Sequence, residues 1–507
     1  MSLFTFNFLF FLFATVLVYY LLPHRTRWAI LLIASAGFYV SYSVVFAVVL
    51  ALVIAVNYFL GLWMDRGSES RNKIYIVAGV LFNVSLLFFY KFVAPALATL
   101  SFFQQDSLHA DSLLMPIGLS FHTLQAISYL VEVHRRSHAA ERHAGFFALS
   151  IRFFPRVLSG PIEKPSLLDQ FKAEVSFDPE QVKVGMKTLA WGFFKKMFIA
   201  DRLAPLVNQV FVDPTSQSGT TLSLTMLVYA VVLYTDFSGY SDIAVGAAQV
   251  FGIRLIQNFD HPYSARSVSE FWQRWHISLS NWLRDYVFFP LRRFIMRRKG
   301  VTGTPFFATL IPPLVTMLVS GLWHGSGWTF IIWGGLHGFY LIFFQLTDQF
   351  WQRLRHRSHM DHFPRLTTYL QQTVTFILVT LSFVFFRAHT VADALYVFAH
   401  LLDGVPAYLV KSSHMFLKAL VSMNGAAWDS TLRNILSPLY LDTGFDSMLI
   451  VSSFLFFWVI EWTRFDLKRI QSCPLFMRWV VYALFLFLCL LFSVQATINN
   501  EFIYFRF

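Results

Sequence analysis

The chain has 507 residues and a mass of 58.6 kDa. Of its residues, 56% are hydrophobic and only 13% are charged. A soluble domain usually carries about 25% charged residues, and a globule of this size has too little interior to bury so much apolar surface. The composition therefore excludes a cytosolic enzyme, a secreted disulfide scaffold and a disordered chain. It predicts an all-α protein that crosses the membrane many times.

The net charge of +12 has a simple explanation in a membrane protein, because Lys and Arg collect in short cytoplasmic loops. We therefore expect no nucleic-acid partner, although the same charge would attract an anionic cytoplasmic ligand such as a phosphate-bearing donor. The two cysteines, Cys473 and Cys489, indicate no disulfide framework, zinc site or thiol nucleophile. The sequence predicts no metal ligands.

Apolar runs define the predicted spans in chain order. The first run, 3–22, follows no basic region and has no small-residue cleavage site, so we expect a retained span and not a cleaved signal. The other runs lie near 29–42, 44–63, 74–95, 114–133, 187–211, 222–252, 305–323, 327–346, 370–387, 446–462 and 479–496. We expect about 11–13 spans, since a helix needs about 20 residues to cross the hydrocarbon core.

Two apolar stretches near 145–160 and 268–290 contain many polar groups, which predicts re-entrant or buried segments. We expect a single membrane domain over the whole chain. Its parts would be N-terminal spans over 1–113, a catalytic core over 114–350, and C-terminal spans with an aromatic tail over 351–507.

The basic loops predict one orientation, with all of them on the cytoplasmic side and the N-terminus outside. In that orientation, 305–346 is a hairpin entered and left from the cytoplasm. The connection 388–445 lies outside, where its apolar stretches predict amphipathic helices on the outer surface. The densest basic cluster precedes this hairpin and contains Arg292, Arg293, Arg297 and Arg298.

Polar residues inside apolar context indicate function, because ionisable groups at membrane depth are costly. The stretch 234–293 is the densest of these, and Asp236 lies there in an otherwise apolar span. A network that only fixes helices together is the alternative for any single residue. A functional site is the better explanation of the whole stretch.

A second concentration is GLWHGSGWTFIIWGGLHGFY at 321–340, where glycines flank His324 and permit a broken helix. A neutral imidazole can accept a proton near neutral pH, although a lone His in a membrane helix more often serves packing. His337 follows thirteen residues later, which on one continuous helix would rotate it by about 220° and exclude a helical metal pair.

The chain ends in NNEFIYFRF, which places Tyr504 among phenylalanines. An interfacial aromatic anchor is the simpler interpretation. A fold-back into an apolar site would instead make the Tyr504 hydroxyl a possible nucleophile. The chain contains no GxSxG, P-loop or HExxH motif, so any chemistry needs little beyond a base and an activated donor.

The chain resembles the membrane-bound O-acyltransferases, most closely the bacterial branch that includes the alginate O-acetyltransferase. The resemblance rests on MPIGLSFHTLQAISYLVEVHRR with FFPRVLSGPIEKPSLL, the stretch 236–291 that contains WHISLS, GLWHGSGWTFIIWGGLHG, FVFFRAHTVADAL and the terminal FIYF. Together these motifs run almost end to end. The resemblance implies a helical bundle arched around a central catalytic chamber, in the bacterial inner membrane.

It also implies roles for residues. The family's catalytic His falls on His324, and its second functional His falls on His276. The donor would be cytoplasmic acetyl-CoA, and no cofactor would be tightly bound. The acceptor would be a hydroxyl of an extracytoplasmic polysaccharide, reached directly or through a periplasmic acetyltransferase partner protein.

On this basis the sequence predicts a site of several parts. His324 is the base, and His276, Asn281, Trp282 and Arg284 orient it or stabilise the oxyanion. Asp236 and Trp323 contribute to substrate binding, and the four arginines of the basic cluster hold the donor phosphates.

Tyr504 is a predicted covalent relay, since the branch that D-alanylates teichoic acid uses a small partner protein with a similar aromatic tail. Two alternatives stay open at this point. A transporter of a small solute or glycan would show similar spans, glycine breaks and buried charges. A lipid O-acyltransferase of the same superfamily would take its acceptor from the membrane lipids.

Overall fold

The structure is a computed structural model that describes residues 6–98, 115–297, 304–422 and 425–441. It also describes residues 451–455, 457–458, 461, 474, 476 and 478–479. Every regular element in these residues is helical, which confirms the predicted all-α class. The predicted spans 446–462 and 479–496 lie largely outside the described residues, as do Arg298 and Tyr504.

The first half of the chain begins with long helices and continues with shorter ones. In chain order they are α1 (Phe6–Leu21), α2 (His24–Val40), α3 (Val44–Arg66), α4 (Glu69–Phe88), α5 (Ala94–Ala98), α6 (Leu119–His134), α7 (Ala144–Arg152), α8 (Leu167–Lys172), α9 (Pro179–Phe193) and α10 (Asp201–Val212). Two π-helical segments, Phe89–Val93 and Phe194–Ala200, interrupt this series.

The second half contains the two longest helices, α11 and α16, among shorter ones. In chain order its helices are α11 (Gly219–Val250), α12 (Val268–Arg274), α13 (Ile277–Leu283), α14 (Phe289–Met296), α15 (Thr304–His324), α16 (Trp328–Arg357), α17 (Pro364–Arg387), α18 (Val391–His400), α19 (Val405–Ser422) and α20 (Gly425–Leu436). A third π-helical segment, Arg284–Phe288, joins α13 to α14, and short 3₁₀ turns occur at Pro214–Ser216, Pro262–Ser264, Met360–His362 and Ser437–Leu439.

Six helical stretches in the described residues are long and apolar enough to cross a membrane. They coincide with α3, with α4 through α5, and with α11, α15, α16 and α17. The chain is therefore a multi-pass membrane protein. Helices α18 to α20 lie in the 388–445 connection, where amphipathic helices were predicted.

One predicted span has a different form in the structure. The run 187–211 is divided among α9, a π-helical segment and α10, and it is not one of the six membrane-length helices. The reason is that Lys195, Lys196 and Asp201 interrupt the apolar run at its middle. Such π-helical segments are frequent at functional sites.

The stretch near 145–160 is buried, as predicted. After α7 the chain loses helical structure, and every residue from 153 to 163 is buried. Irregular backbone at membrane depth is tolerated where protein surrounds it.

The chain divides into two compact units. The first comprises Met1–Phe193, Tyr240–Asn258 and His276–Tyr286, and the second comprises Phe194–Gly239, Phe259–Trp275 and Val287–Phe507. The predicted division at 113 and 350 stays a prediction.

Candidate functional site

His324 lies at the tip of a tight helical hairpin in the second unit. It is the last residue of α15, and α16 begins four residues later at Trp328. Glycines allow the two helices to cross closely: a Cβ on Gly321 would overlap the Phe330 carbonyl oxygen, and one on Gly334 would overlap that of Met317. The predicted glycine break after His324 is therefore confirmed.

Aromatic rings surround the His324 imidazole, whose residue is only 4% exposed. Its ring centroid lies 4.9 Å from that of Trp323, 5.1 Å from that of Trp333 and 5.2 Å from that of Phe386. All three contacts are edge-on. This cage fixes the orientation of the imidazole, and it places the predicted substrate residue Trp323 beside the predicted base.

His337 lies on α16 and has a different environment. Trp272 Nε1 donates to His337 Nδ1 at 3.2 Å, and Ser382 Oγ lies 2.9 Å from His337 Nε2. Because the Ser382 hydroxyl donates to the Val379 carbonyl, its oxygen accepts the Nε2 proton. Both ring nitrogens of His337 are thus hydrogen-bonded within this unit, which indicates a structural role.

A cavity of about 240 Å³ lies in the same unit, at the hairpin tip. Phe330 and Phe386 form part of its wall, and Phe386 also contacts His324. The cavity therefore reaches the aromatic cage of the predicted base. Its lining includes the polar residues Lys196, Asp201, Asn208, Tyr229, Asp236 and Arg387.

Charged side chains that pair with one another line part of this cavity. Lys196 Nζ lies 2.6 Å from Asp236 Oδ1 and 2.8 Å from Asp201 Oδ1, with the lysine side chain only 3% exposed. At the adjacent residue, Lys195 Nζ donates to Ser238 Oγ at 2.9 Å. Of these residues only Asp236 was predicted from the sequence; neither lysine was, although a Lys-Lys pair inside an apolar run is a usable signal.

The predicted second histidine belongs to the first unit. His276 is fully buried and has a left-handed backbone, with φ 45° and ψ 52°. The turn is held by Asn258, whose carbonyl accepts from the Ile277 amide at 2.9 Å and whose Oδ1 accepts from the Ser278 amide at 3.1 Å. The imidazole lies beside the Phe121 ring, at 6.3 Å between centroids.

The three predicted neighbours of His276 have distinct environments. The Trp282 indole N–H is engaged by the Leu124 carbonyl and the Ser128 hydroxyl, at 3.0 and 2.8 Å. Arg284 is exposed and pairs with Asp285 at 3.1 Å, while Asn281 is partly buried. Burial would raise the pKa of Asp285, but hydrogen bonds and charge from Lys164 and Arg284 outweigh it and hold that pKa below its ordinary value.

A buried guanidinium was missed by the sequence analysis. Arg156 lies in the buried irregular segment 153–163 and is 2% exposed. Within the described residues, its Nε and Nη1 have no hydrogen-bond partner. The Glu163 carboxylate and the Tyr240 hydroxyl lie within electrostatic range of the guanidinium. Arg156 belongs to a stretch used for the resemblance, but its type alone gives no signal of burial.

The predicted donor arginines that the structure describes lie on or directly after the helix that precedes α15. Arg292 and Arg293 are exposed on α14, Arg297 is exposed at its C-terminal end, and α14 packs against α15. Helix α15 has 21 residues and is therefore about 30 Å long. That length is close to the thickness of the hydrocarbon core.

A second cavity of about 330 Å³ lies elsewhere in the second unit. It is next to Glu461, whose carboxylate accepts from the Tyr263 amide at 2.9 Å. No predicted site residue lines it within the described part of the chain.

The model of the membrane-bound O-acyltransferase family matches residues 34–386. The chain belongs to the membrane-bound O-acyltransferase family. It is 36% identical over 381 residues to the probable alginate O-acetylase of Azotobacter vinelandii, which covers 73% of this chain and 72% of that protein.

Two relatives with other names also match. The peptidoglycan O-acetyltransferase of Helicobacter pylori is 32% identical over 420 residues, covering 76% of each chain. The teichoic acid D-alanyltransferase of Streptococcus thermophilus is 31% identical over 293 residues, covering 54% of this chain and 69% of that protein. The chain is thus a multi-pass acyltransferase with bacterial relatives. Family membership favours an enzyme over the transporter alternative.

Proposed function

We propose that this protein is an inner-membrane O-acetyltransferase. It moves acetyl from cytoplasmic acetyl-CoA toward hydroxyls of an extracytoplasmic polysaccharide, either an exopolysaccharide or a cell-wall glycan. The names of the alginate and peptidoglycan relatives support this acceptor class. A lipid acceptor has no specific observation in its favour.

The observation that carries the proposal is the position of His324. The imidazole is buried in an aromatic cage, and Phe386 of that cage also lines a cavity that contains polar residues, so an acceptor hydroxyl in the cavity would lie one aromatic ring away from the base. By the predicted orientation, this cavity lies toward the outer side of the membrane and the arginines of α14 lie toward the cytoplasm. Donor and acceptor would then approach from opposite faces.

The chemistry is a direct acyl transfer. His324 takes the proton of the acceptor hydroxyl as its oxygen attacks the thioester carbonyl carbon, and the carbonyl electron pair moves onto oxygen. Collapse of this intermediate re-forms the carbonyl and breaks the carbon–sulfur bond. The thiolate then takes the proton from His324, so the products are the acetyl ester and free CoA.

Residues outside the hairpin have proposed supporting roles. Arg292, Arg293, Arg297 and Arg298 attract the donor phosphates. We assign His276, Asn281, Trp282 and Arg284 to orienting the base or stabilising the oxyanion. The Trp282 indole N–H is already engaged, so any contribution of Trp282 comes through packing.

Tyr504 is a proposed acyl relay. In the relay, the Tyr504 hydroxyl is the acceptor of the transfer described above, and its proton goes to His324. A hydroxyl of the polysaccharide, or of a periplasmic acetyltransferase partner, then attacks the acetyl-tyrosine carbonyl carbon, the bond from that carbon to the Tyr504 oxygen breaks, and the attacking hydroxyl's proton returns to the Tyr504 oxygen. The aromatic tail, with Phe502, Phe505 and Phe507, suits entry into an apolar site.

The test uses purified full-length protein in detergent with radiolabelled acetyl-CoA, and follows both CoA release and label on the chain. We expect His324→Ala to lower turnover by about 10²–10⁴-fold. The control His356→Ala removes an exposed histidine and should leave turnover unchanged. Full turnover in His324→Ala would contradict the proposal.

The same assay tests the relay. Label on the wild-type chain that Tyr504→Phe abolishes, while His356→Ala retains it, would support a covalent step. Normal transfer to the final acceptor by Tyr504→Phe would show that the relay is wrong and leave the base assignment standing.

A further inference from the structure

The indole N–H of Trp333 is a buried hydrogen-bond donor, and its ring packs against the His324 imidazole. Trp333 is 2% exposed on α16, and its Nε1 has no hydrogen-bond partner among the described residues. Its ring lies 5.1 Å from that of His324 and 5.2 Å from that of Phe386, between centroids. Buried tryptophan N–H groups usually find an acceptor, because leaving a buried donor unpaired costs free energy.

The His337 imidazole, which belongs to the same cluster, is not an available acceptor for the Trp333 N–H. The His337 ring lies 5.0 Å from Trp333 between centroids, but His337 Nδ1 already accepts from Trp272 and Nε2 carries the proton shared with Ser382. Its hydrogen-bonding capacity is therefore complete. Two indoles meet this histidine, and only that of Trp272 donates to it.

The position of Trp333 is fixed from both sides. At the next residue in the chain, the Gly334 Cα lies against the α15 backbone, where a Cβ would overlap the Met317 carbonyl oxygen. The Trp272 ring packs edge-on against Trp333 at 5.8 Å. A donor held this rigidly costs little reorganisation when charge develops beside it.

We propose that Trp333 Nε1–H is an oxyanion donor: it donates to the carbonyl oxygen of the acyl thioester as that oxygen becomes negative. The inference rests on the proposed acyl transfer at His324. Indole has a donor and no acceptor, which suits an oxygen that gains charge. Phe386, which touches both Trp333 and His324 and lines the cavity, marks the adjacent place for the acyl group.

The electron and proton balance is that of the direct transfer. The hydroxyl oxygen bonds to the carbonyl carbon, its proton goes to His324, and the carbonyl pair moves to the oxygen that Trp333 contacts. The Trp333 proton stays on nitrogen throughout. When the pair returns and the carbon–sulfur bond breaks, the sulfur takes the proton from His324 and the Trp333 hydrogen bond weakens again.

The test replaces the N–H and retains the ring. Trp333→Phe should lower kcat for CoA release by about 10²–10³-fold, the usual loss for one oxyanion donor, with little change in KM for acetyl-CoA. The matched control Trp351→Phe removes an indole N–H from the far end of α16, where it donates to Thr347 Oγ1 at 3.0 Å on the exposed part of the helix. It should change kcat by no more than about threefold.

A second substitution keeps the result interpretable if Trp333→Phe does not fold. Incorporation of benzothienylalanine at position 333 replaces the N–H with sulfur in a ring of nearly the same shape. We expect the same loss of kcat with an unchanged melting temperature. Wild-type kcat in this variant would overturn the proposal. The Trp333 N–H would then only contact a neighbouring aromatic ring and would have no part in the reaction. His324→Ala in the same assay reports separately on the proposed function.

Discussion

Helix α11 contributes to two clusters of buried polar residues that begin about one turn apart. The first cluster, here called the charged group, contains ion pairs, and the second, here called the neutral group, contains only hydrogen bonds between uncharged partners. Asp236 and Ser238 receive the ammonium groups of Lys196 and Lys195 and belong to the charged cluster at the cavity. Further along the helix, in the first unit, the neutral group begins: the Tyr240 hydroxyl accepts from the Ser159 amide at 3.0 Å, and Ser241 Oγ accepts from Asn258 Nδ2 at 3.2 Å.

This difference in charge suggests different roles, a functional one for the charged group and a structural one for the neutral group. A buried ion pair contributes little net stability, because desolvation of the charges offsets their attraction. A charged group retained beside a cavity at membrane depth is therefore better explained by function. The neutral group satisfies irregular backbone that has no secondary structure of its own, which is a structural need.

The largest expected effect is on the charged group. Lys196→Met removes the ammonium that Asp201 and Asp236 share, and leaves the buried Asp236 carboxylate close to the partly buried Asp201 carboxylate without that cation. We expect the free energy of unfolding to fall by about 3–5 kcal/mol, measured by denaturant unfolding in detergent.

A double variant provides the control. Lys196→Met with Asp236→Asn removes one charge of each sign and should recover more than half of the loss. A loss below about 1 kcal/mol in the single variant would mean that the cluster is well hydrated, as a solvent-exposed ion pair is.

The neutral group should respond more weakly. Tyr240→Phe removes the acceptor of the buried Ser159 amide, which should cost about 1–3 kcal/mol of unfolding free energy. Turnover per folded molecule should stay at the wild-type value, because no reacting group changes. A loss of kcat at full stability would instead place Tyr240 in the chemistry.

Tyr229→Phe is the matched control for stability. The Tyr229 hydroxyl is buried and has no hydrogen-bond partner within the described residues. Its removal should therefore change the unfolding free energy by less than Tyr240→Phe does.

The sequence predicted the helical class and the hairpin tip because these depend on local patterns. Apolar runs of membrane length predict spans, and glycines around His324 predict a break there. The division of the polar stretch into two groups was not predictable, because it depends on partners distant in the chain. Asp236 pairs with Lys196, and Tyr240 binds the backbone at Ser159.

Trp333 shows the same limit more sharply. Trp333 is one of three tryptophans in the apolar 321–340 stretch, and neither its residue type nor its spacing distinguishes it from the others. Whether its N–H has an acceptor depends on the hydrogen bonds of His337, and these come from Trp272 on α12 and Ser382 on α17. No spacing within α16 encodes that arrangement.

His276 tests whether the first unit holds chemistry as well as scaffold. Because its backbone is left-handed, Asn should be tolerated there, whereas Ala should cost about 1–2 kcal/mol of unfolding free energy. If the imidazole acts on substrate, both His276→Asn and His276→Ala lower kcat by at least about tenfold. Wild-type kcat in a stable His276→Asn protein would show that the catalytic assignment is wrong.

The smallest expected effect concerns the ion pairs of Asp285. Lys164 Nζ lies 2.8 Å from its carboxylate, but the lysine side chain is 51% exposed, so Asp285→Asn should cost no more than about 1 kcal/mol. Since the folded pKa of Asp285 is depressed, this contribution is present above the unfolded pKa and is lost as the pH falls through the folded value. Unfolding measured from about pH 7 down to about pH 3 should therefore show the wild type and Asp285→Asn converging at the acid end. A constant difference across that range would mean that Asp285 stabilises the turn through packing, and that its charge contributes nothing.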